Sequence, residues 1–155
     1  MKRFYTAESV TEGHPDKLCD LIADSILDAC LKEDENSRVA CEVLATKGNI
    51  IVAGEITSRF EPQVFEIIRK VLENAGYDAS GIYMDALIHK QSPDIAGAVE
   101  RSRERRAGTV SVQSGPANGA GDQGIMVGYA CDETPQLMPM PVVLANRIVR
   151  ELSAS

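Results

Sequence analysis

The chain contains few of the residues that nucleic-acid-binding and membrane proteins need. It has no tryptophan, and aromatic residues make up 5% of its 155 residues. Single-stranded nucleic acids stack on aromatic side chains, and phosphate contacts need a basic face, whereas this chain has a formal net charge of -7. No apolar run reaches the ~18 residues of a membrane-spanning helix. We therefore expect neither a nucleic-acid partner nor a membrane partner.

Targeting sequences and cysteine metal motifs are also missing. The basic residues Lys2 and Arg3 are not followed by the apolar core of a signal peptide. None of the four cysteines forms a Cys-x-x-Cys pair, so no zinc site is indicated. We expect free, buried thiols and, by default, a cytoplasmic protein.

Hydrophobic periodicity predicts strands and helices in the first part of the chain. Apolar residues at helical spacing indicate two helices, with Pro15 suited to the start of one and Gly76 to the end of the other. Segments rich in Val and Ile on either side of Lys47-Gly48 indicate a hairpin. The predicted ranges are 3–8, 15–32, 38–46, 49–57, 62–75 and 80–90. This β-α-β-β-α-β order favours an α/β two-layer sandwich (α+β) with the helices on one face of a mixed sheet.

The rest of the chain is predicted to contain a lid and the start of a second, similar repeat. Residues 92–121 are rich in glycine, and their arginines between 101 and 106 fit either a solvated helix face or a contact with polyphosphate. A predicted strand at 124–131 and a helix after Pro141 follow. We therefore predict a first repeat over 1–91, a lid or a disordered segment over 92–121, and an incomplete second repeat over 122–155.

The segment Gly13-His14-Pro15-Asp16-Lys17 has residues suited to phosphate chemistry. It lies at a predicted helix start, where unpaired N–H groups and the helix dipole attract anions. A carboxylate such as Asp16 can hold a metal that bridges phosphates, and His14 can donate a hydrogen bond to developing negative charge. The alternative is an ordinary helix cap with solvated charges.

The predicted hairpin brings Glu42 and Glu55 to one face of the sheet. With a turn at Lys47-Gly48, Glu42 pairs with Ala53, and Glu55 lies one diagonal step away, roughly 7–8 Å. Two carboxylates on one face repel each other unless a cation or a substrate ammonium lies between them. The alternative is a pair of solvated glutamates. The same face carries apolar residues such as Leu44, which suggests that another subunit or domain covers it.

Polar residues lie at both ends of the predicted lid. Gln91 follows a strand, where it can orient a polar substrate, and Asp122 lies in a glycine-rich segment that allows close backbone approach to a ligand. The alternative is a hydrogen-bonded turn. We expect His89, which alternates with apolar neighbours, to be a core histidine.

Several motifs together resemble one enzyme family. ESVTEGHPDK, VACEV, GEIT, KQSPDI, GAGDQGIMVGYA and MPMPVVLA occur along nearly the whole chain. In order and spacing they resemble the amino-terminal portion of the S-adenosylmethionine synthetases, or methionine adenosyltransferases. The resemblance implies three similar intertwined α/β repeats. It also implies attack of the methionine sulfur on the ribose 5′ carbon of ATP, release of triphosphate, and its hydrolysis to pyrophosphate and phosphate.

The resemblance assigns ATP and metal roles to four residues. His14 would be the catalytic histidine that contacts ATP near the breaking bond, and Lys17 would be a second ATP-binding residue. Asp16 would bind magnesium and Glu42 potassium, the two cofactors that the family uses.

The remaining implied roles concern methionine and the lid. Glu55 and Gln91 would bind L-methionine, Asp122 would face the substrate, and residues 92–121 would be the mobile lid. The family also implies a homo-oligomer, a dimer or a tetramer, with active sites shared between subunits.

The resemblance covers only the first part of the family's length. Family members are more than twice as long, and their later portion carries a GGGAFSGKD-type segment and several cations that grip the triphosphate. We therefore expect this chain to be a fragment that is inactive alone. The alternative is a non-catalytic module that binds ATP or pairs with a full-length synthetase.

Overall fold

The fold is a three-stranded mixed sheet with two helices against one face, followed by a third helix. A computed structural model of the chain describes residues 4–92 and 125–155. Its elements are α1 (Pro15–Glu33), β1 (Arg38–Thr46), β2 (Asn49–Thr57), α2 (Val64–Asn74), a 3₁₀ helix (Ala79–Gly81), β3 (Tyr83–His89) and α3 (Met140–Ala154). The strand order is β1-β2-β3, antiparallel and then parallel. This architecture confirms the predicted α+β sandwich.

Helix α1 packs a regular apolar stripe on the sheet. Its buried residues are spaced four apart, one above the other on a single helix face, and are Leu18, Ile22, Ile26 and Cys30. Pro15 occupies the first turn, where its missing N–H leaves no bond unmade. The helix ends at Glu33, after which the N–H of Asp34 donates to the Cys30 carbonyl at 2.9 Å.

The β1–β2 hairpin has the predicted turn and register. Gly48 adopts φ 72°, which a residue without a side chain tolerates, and Thr46 pairs with Asn49. Gly54 is needed for a different reason, which is lack of space. A Cβ there would lie 2.0 Å from the Ala40 carbonyl oxygen. The backbones of the two strands therefore approach more closely at Gly54 than any side chain would allow.

Helix α2 makes the crossover that a parallel strand pair needs. It begins at Val64, two positions after the predicted start, and buries Val64, Ile68, Val71 and Leu72. Gly76, with φ 82°, ends it, and the N–H of Tyr77 turns back to the Leu72 carbonyl at 2.9 Å. The core thus lies between α1, α2 and the inner face of β2, whose buried residues are Ile50, Val52 and Ile56.

Two predicted strands are wrong for the described residues. Residues 4–8, most of the predicted strand 3–8, form no strand, and Phe4 is 89% exposed. Residues 125–131, most of the predicted strand 124–131, also form none, and Met126 is 94% exposed. A strand needs a partner for its N–H and C=O groups, and neither segment pairs with β1, β2 or β3. The predicted strand 80–90 is shorter, because a 3₁₀ helix occupies its start.

Helix α3 confirms the predicted helix after the Pro139-Met140-Pro141 segment, and it begins at Met140. None of its residues is buried, and Leu144, Ile148 and Leu152 form an exposed stripe. The Ser9 hydroxyl donates to the Asn146 side-chain oxygen at 2.7 Å, which ties α3 to the segment before α1. Of the helices that the structure describes, none has the length and apolarity to span a bilayer.

Candidate functional site

The amino-terminal end of α1 holds His14 in a defined orientation. His14 caps the helix: the backbone N–H of Asp16 donates to its Nδ1 at 3.2 Å. The backbone N–H of His14 donates to the Thr11 carbonyl at 3.1 Å. Because Nδ1 accepts a hydrogen bond, the proton of the neutral ring is on Nε2. The ring, which is 39% exposed, therefore has an N–H donor available for a ligand.

Asp16 and Lys17 place opposite charges beside that histidine. The Asp16 carboxylate lies 3.8 Å from His14 Nδ1 and is 90% exposed, so it is accessible to a ligand. The Lys17 ammonium donates to the Val10 carbonyl in the segment before the helix. A carboxylate, an imidazole and a cation at a helix start form a polar group that fits an anion and its counterion.

A small cavity next to this group contains residues that sequence reasoning did not single out. Its volume is about 220 Å³, and its lining includes Ser9, Glu12, Lys17, Asn146 and Arg150. Arg150 comes from α3 and adds a second cation near Lys17. No local sequence pattern identifies Asn146 or Arg150, because both reach the cavity only through the packing of α3 against the segment before α1.

The second group lies on the sheet face opposite α1 and α2, which we call the open face. Glu42 pairs with Ala53 and Glu55 with Ala40, which confirms the predicted diagonal arrangement of the two carboxylates. Glu42 is exposed and Glu55 is half-buried.

His89 belongs to this open face, so the expectation of a core histidine is wrong. It pairs with Glu55 across the parallel strands and is exposed. The side chains of β3 alternate between the two faces, and the inner positions are taken by Met84, Ala86 and Ile88. An imidazole therefore neighbours one of the two predicted carboxylates.

Gln91 follows β3 with an unsatisfied side chain. Its Oε1 is buried and has no hydrogen-bond partner among the described residues. A buried acceptor without a donor is destabilising by about 1–3 kcal/mol. A ligand that donated a hydrogen bond to this oxygen would remove that penalty.

The described residues offer individual metal ligands but no complete metal site. In residues 4–92 and 125–155, no group of three or more His, Cys, Asp or Glu side chains could hold an ion. Magnesium is commonly held by one or two carboxylates together with substrate phosphates. The exposed Asp16 fits that role, and the exposed Glu42 likewise offers a single carboxylate.

An ion pair between a buried carboxylate, Asp34, and an exposed guanidinium, Arg59, connects the end of α1 to the segment after β2. Asp34 is 5% exposed and accepts from the Arg59 guanidinium at 3.0 Å and from its backbone N–H at 2.9 Å. These hydrogen bonds from Arg59 lower the pKa of Asp34 from 3.8 to about 2. The pair joins the segment after α1 to the segment after β2. Neither residue belongs to the two candidate groups.

The expectation of free, buried cysteines is confirmed in part. All four are free; Cys30 is buried and the others are half-buried. Burial raises the pKa of Cys30 and of Cys41, so both remain protonated and unreactive at neutral pH.

Two family profiles match the chain. The profile described as S-adenosylmethionine synthetase, N-terminal domain, matches residues 2–97, and the central-domain profile matches residues 117–155. The chain belongs to the S-adenosylmethionine synthetase family. It is 47% identical over 159 residues to the S-adenosylmethionine synthase of Parafrankia sp., covering 98% of this chain and 40% of that relative. It is 49% identical over 160 residues to the S-adenosylmethionine synthase of Roseiflexus castenholzii, covering 97% of this chain and 39% of that relative.

The chain therefore spans about two fifths of the length of these curated relatives. Within this member of the S-adenosylmethionine synthetase family, the structure brings the predicted residues into two groups. His14, Asp16 and Lys17 lie at the start of α1, while the other group is on or next to the open face and contains Glu42, Glu55 and Gln91. Asp122, the Arg-rich segment and the predicted lid beyond Ser92 lie outside the described residues.

A larger groove of about 840 Å³ lies between α2 and the end of β3. It is lined by Phe60, Phe65 and Ile88 among others, and by none of the predicted site residues. The volume of a cavity does not by itself indicate a ligand site. The smaller cavity is the better candidate because Lys17, a predicted site residue, lines it.

Proposed function

We propose that this chain supplies part of the active site of a methionine adenosyltransferase, which makes S-adenosylmethionine from ATP and L-methionine. In the proposed reaction the methionine sulfur forms a bond to the ribose 5′ carbon. The bond from that carbon to oxygen breaks, and its electron pair leaves with the triphosphate, which is then hydrolysed to pyrophosphate and phosphate. The observation that carries the proposal is His14 capping α1 beside an exposed Asp16, in a chain that belongs to this family.

The start of α1 would stabilise the departing triphosphate. Negative charge grows on the leaving oxygen as the bond breaks, and the Nε2–H of His14 can donate to it. The dipole of α1 adds a positive end equivalent to roughly half an elementary charge at this helix start. Lys17, whose ammonium lies at the same turn, would bind ATP by charge attraction.

Magnesium and potassium are the cofactors of this proposal. Asp16 would hold magnesium together with phosphate oxygens, because its carboxylate is exposed next to the helix start. Glu42 would contribute one oxygen to potassium, with the other ligands coming from outside the described residues. When bound, such cations neutralise phosphate charge in the transition state.

Methionine would bind at the open face. Its ammonium group can be received by the Glu55 carboxylate and can donate to the unsatisfied Oε1 of Gln91. Asp122 would face the substrate from the far end of the lid, which we propose spans residues 92–121. The segments 1–91 and 122–155 would then be the first repeat and part of the central repeat.

The open face also favours a homo-oligomer. Its apolar side chains are accessible, with Leu44 60%, Leu87 51% and Tyr83 61% exposed. An apolar sheet face around two carboxylates is a typical protein interface. We propose that a second copy covers it in a dimer or tetramer, so that residues of two subunits share one site.

A second candidate function is a non-catalytic module that binds ATP or pairs with a full-length synthetase. The observation that favours it is the exposed apolar open face, which a full-length synthetase could cover as a partner. Adenosyl transfer by the chain would contradict it, whereas mixed oligomers with a full-length synthetase would support it.

The test of the proposed ATP site is a calorimetric titration of the chain with magnesium-ATP. Asp16→Asn should weaken binding about tenfold or more, as expected for a lost charged contact. Asp20→Asn, which removes an exposed carboxylate one turn further along α1, is the matched control and should have no effect. Equal affinities for the wild type and Asp16→Asn would contradict the assignment.

A further inference from the structure

We propose that Tyr77 is a positioning residue for His14, an inference that rests on the proposed function for its catalytic meaning. The Tyr77 hydroxyl donates to the Gly13 carbonyl at 2.8 Å, across 64 positions of sequence. The family resemblance assigns no role to Tyr77, and the contact becomes visible only in the folded chain.

Together with a second hydrogen bond, this contact fixes the peptide group between Gly13 and His14, because both polar atoms of that group are then paired. Its carbonyl oxygen accepts from Tyr77, and its N–H, which belongs to His14, donates to the Thr11 carbonyl at 3.1 Å. A peptide group is planar, so two hydrogen bonds on opposite edges define its orientation. That orientation determines the direction in which the His14 side chain leaves the backbone.

The aromatic ring of Tyr77 packs against Gly13 as closely as a glycine permits. A Cβ at Gly13 would lie 2.9 Å from Cε2 and 3.0 Å from the hydroxyl oxygen of Tyr77. Gly13 therefore has a steric reason to lack a side chain: any larger residue would displace the ring or the loop.

Tyr77 is itself held by the end of α2. The φ of 82° at Gly76 lets the Gly76 N–H donate to Glu73 and the Tyr77 N–H to Leu72, at 3.0 and 2.9 Å. This is the geometry of a glycine-terminated helix end. The hydroxyl therefore projects from a fixed helix terminus. Its hydrogen bond to Gly13 holds the start of α1 in place relative to the end of α2.

Apart from the Ser9–Asn146 hydrogen bond, which ties this segment to α3 and not to the buried core, the other hydrogen bonds described for this loop are local. His14 contacts Thr11 and Asp16, and Lys17 contacts Val10. Local bonds set the shape of the loop, but they do not set its place relative to the rest of the core. Tyr77 supplies that placement, and so the Nε2–H of His14 is presented to a ligand in one orientation.

The test compares Tyr77→Phe with Tyr83→Phe in the 155-residue chain. Both variants remove one hydroxyl and keep the ring, but Tyr83 is exposed on the open face. Carbon–proton NMR signals of the imidazoles report the outcome, and since the chain has two histidines, His89 is an internal reference. Tyr77→Phe should shift or broaden the His14 signal and leave His89 unchanged, whereas Tyr83→Phe should leave His14 unchanged.

Magnesium-ATP affinity, compared with the melting temperature, distinguishes a role of Tyr77 in positioning His14 from a role in stabilising the fold. Tyr77→Phe should weaken binding about fivefold, the change that corresponds to one hydrogen bond of about 1 kcal/mol, with a melting temperature close to that of Tyr83→Phe. Gly13→Ala, which displaces the same ring, should perturb the same His14 signal. A His14 signal unmoved by Tyr77→Phe would overturn the inference, as would equal effects of the two tyrosine variants on His14.

The two proposals fail in different ways. If the wild-type chain binds no magnesium-ATP but Tyr77→Phe still moves the His14 signal, the positioning contact stands and the proposed function is contradicted. If the wild type binds magnesium-ATP and Tyr77→Phe changes neither affinity nor the His14 signal, the positioning role is contradicted and the proposed function stands.

Discussion

Glu55 lies directly beside His89 across the parallel strands β2 and β3, on the open face of the sheet. The pairing makes His89 a reporter for whatever binds Glu55. If Glu55 receives the ammonium of methionine, Glu55→Gln should lower methionine affinity about tenfold or more, because a hydrogen bond to a charged group is lost. In the wild type, added methionine should also shift the His89 NMR signal.

Glu73→Gln is the control for this prediction, since Glu73 is an exposed glutamate on α2, which packs against the opposite face of the sheet. It should bind methionine as the wild type does. The assignment of Glu55 would be contradicted by Glu55→Gln binding methionine as tightly as the wild type, or by a wild-type chain that does not bind methionine.

The Asp34–Arg59 pair predicts how stability depends on pH. The folded-state pKa of Asp34 is about 2, below its ordinary value of 3.8, so the unfolded state takes up a proton first as the pH falls. The stabilisation is therefore complete above about pH 4 and is lost as the pH falls towards 2. Urea unfolding at pH 7, 4 and 3 should show Asp34→Asn to be less stable than the wild type at pH 7, with a smaller difference at pH 3.

Asp28→Asn, which changes an exposed carboxylate on α1, is the matched control. Its stability should follow that of the wild type at each pH. A difference between Asp34→Asn and the wild type that stayed constant from pH 7 to pH 3 would show that the ion pair is not the cause.

Gly54 is predicted to be intolerant of any side chain. A Cβ there would lie 2.0 Å from the Ala40 carbonyl oxygen, and strand backbones cannot move apart without breaking the ladder. Gly54→Ala should lower the free energy of unfolding by about 3 kcal/mol or more, the upper end for single substitutions. Gly81→Ala, with no atom within 4 Å of the added Cβ, should change it little. Urea denaturation would measure both, and similar stabilities would contradict the close approach.

Helices α1 and α3 should differ in their contribution to stability. Ile26, on α1, is fully buried in the core, whereas Leu152, on α3, is 65% exposed. Ile26→Ala should lower the free energy of unfolding by about 2–5 kcal/mol, and Leu152→Ala should change it by about 0.5 kcal/mol or less. A large loss for Leu152→Ala in denaturant titrations would mean that another surface covers α3.

The local parts of the fold could be predicted from the sequence because short-range rules determine them. A two-residue turn at Lys47-Gly48 fixes the hairpin register, and with it the placement of Glu42 and Glu55. The apolar stripe of α1 likewise indicates which helix face is buried. These features depend on neighbours a few positions away, so the sequence pattern contains the necessary information.

The parts that could not be predicted depend on distant partners. Residues 4–8 have a strand-like pattern but pair with none of the described strands. Leu87 and Ile88 are both apolar, so alternation alone did not show that His89 faces outward. The contact of Tyr77 with Gly13 spans 64 positions, and the approach of Arg150 to Lys17 depends on how α3 packs. No local pattern encodes these relationships.

The most direct test of the central claim is the rate of S-adenosylmethionine formation by a chimera. In it, this chain replaces the matching portion of the S-adenosylmethionine synthase from Roseiflexus castenholzii, so that the later part of a relative is present. If His14 stabilises the departing triphosphate, His14→Ala should reduce the rate about 10²–10³-fold, while Asp20→Asn should leave it unchanged. An unchanged rate in the His14→Ala chimera would contradict the account.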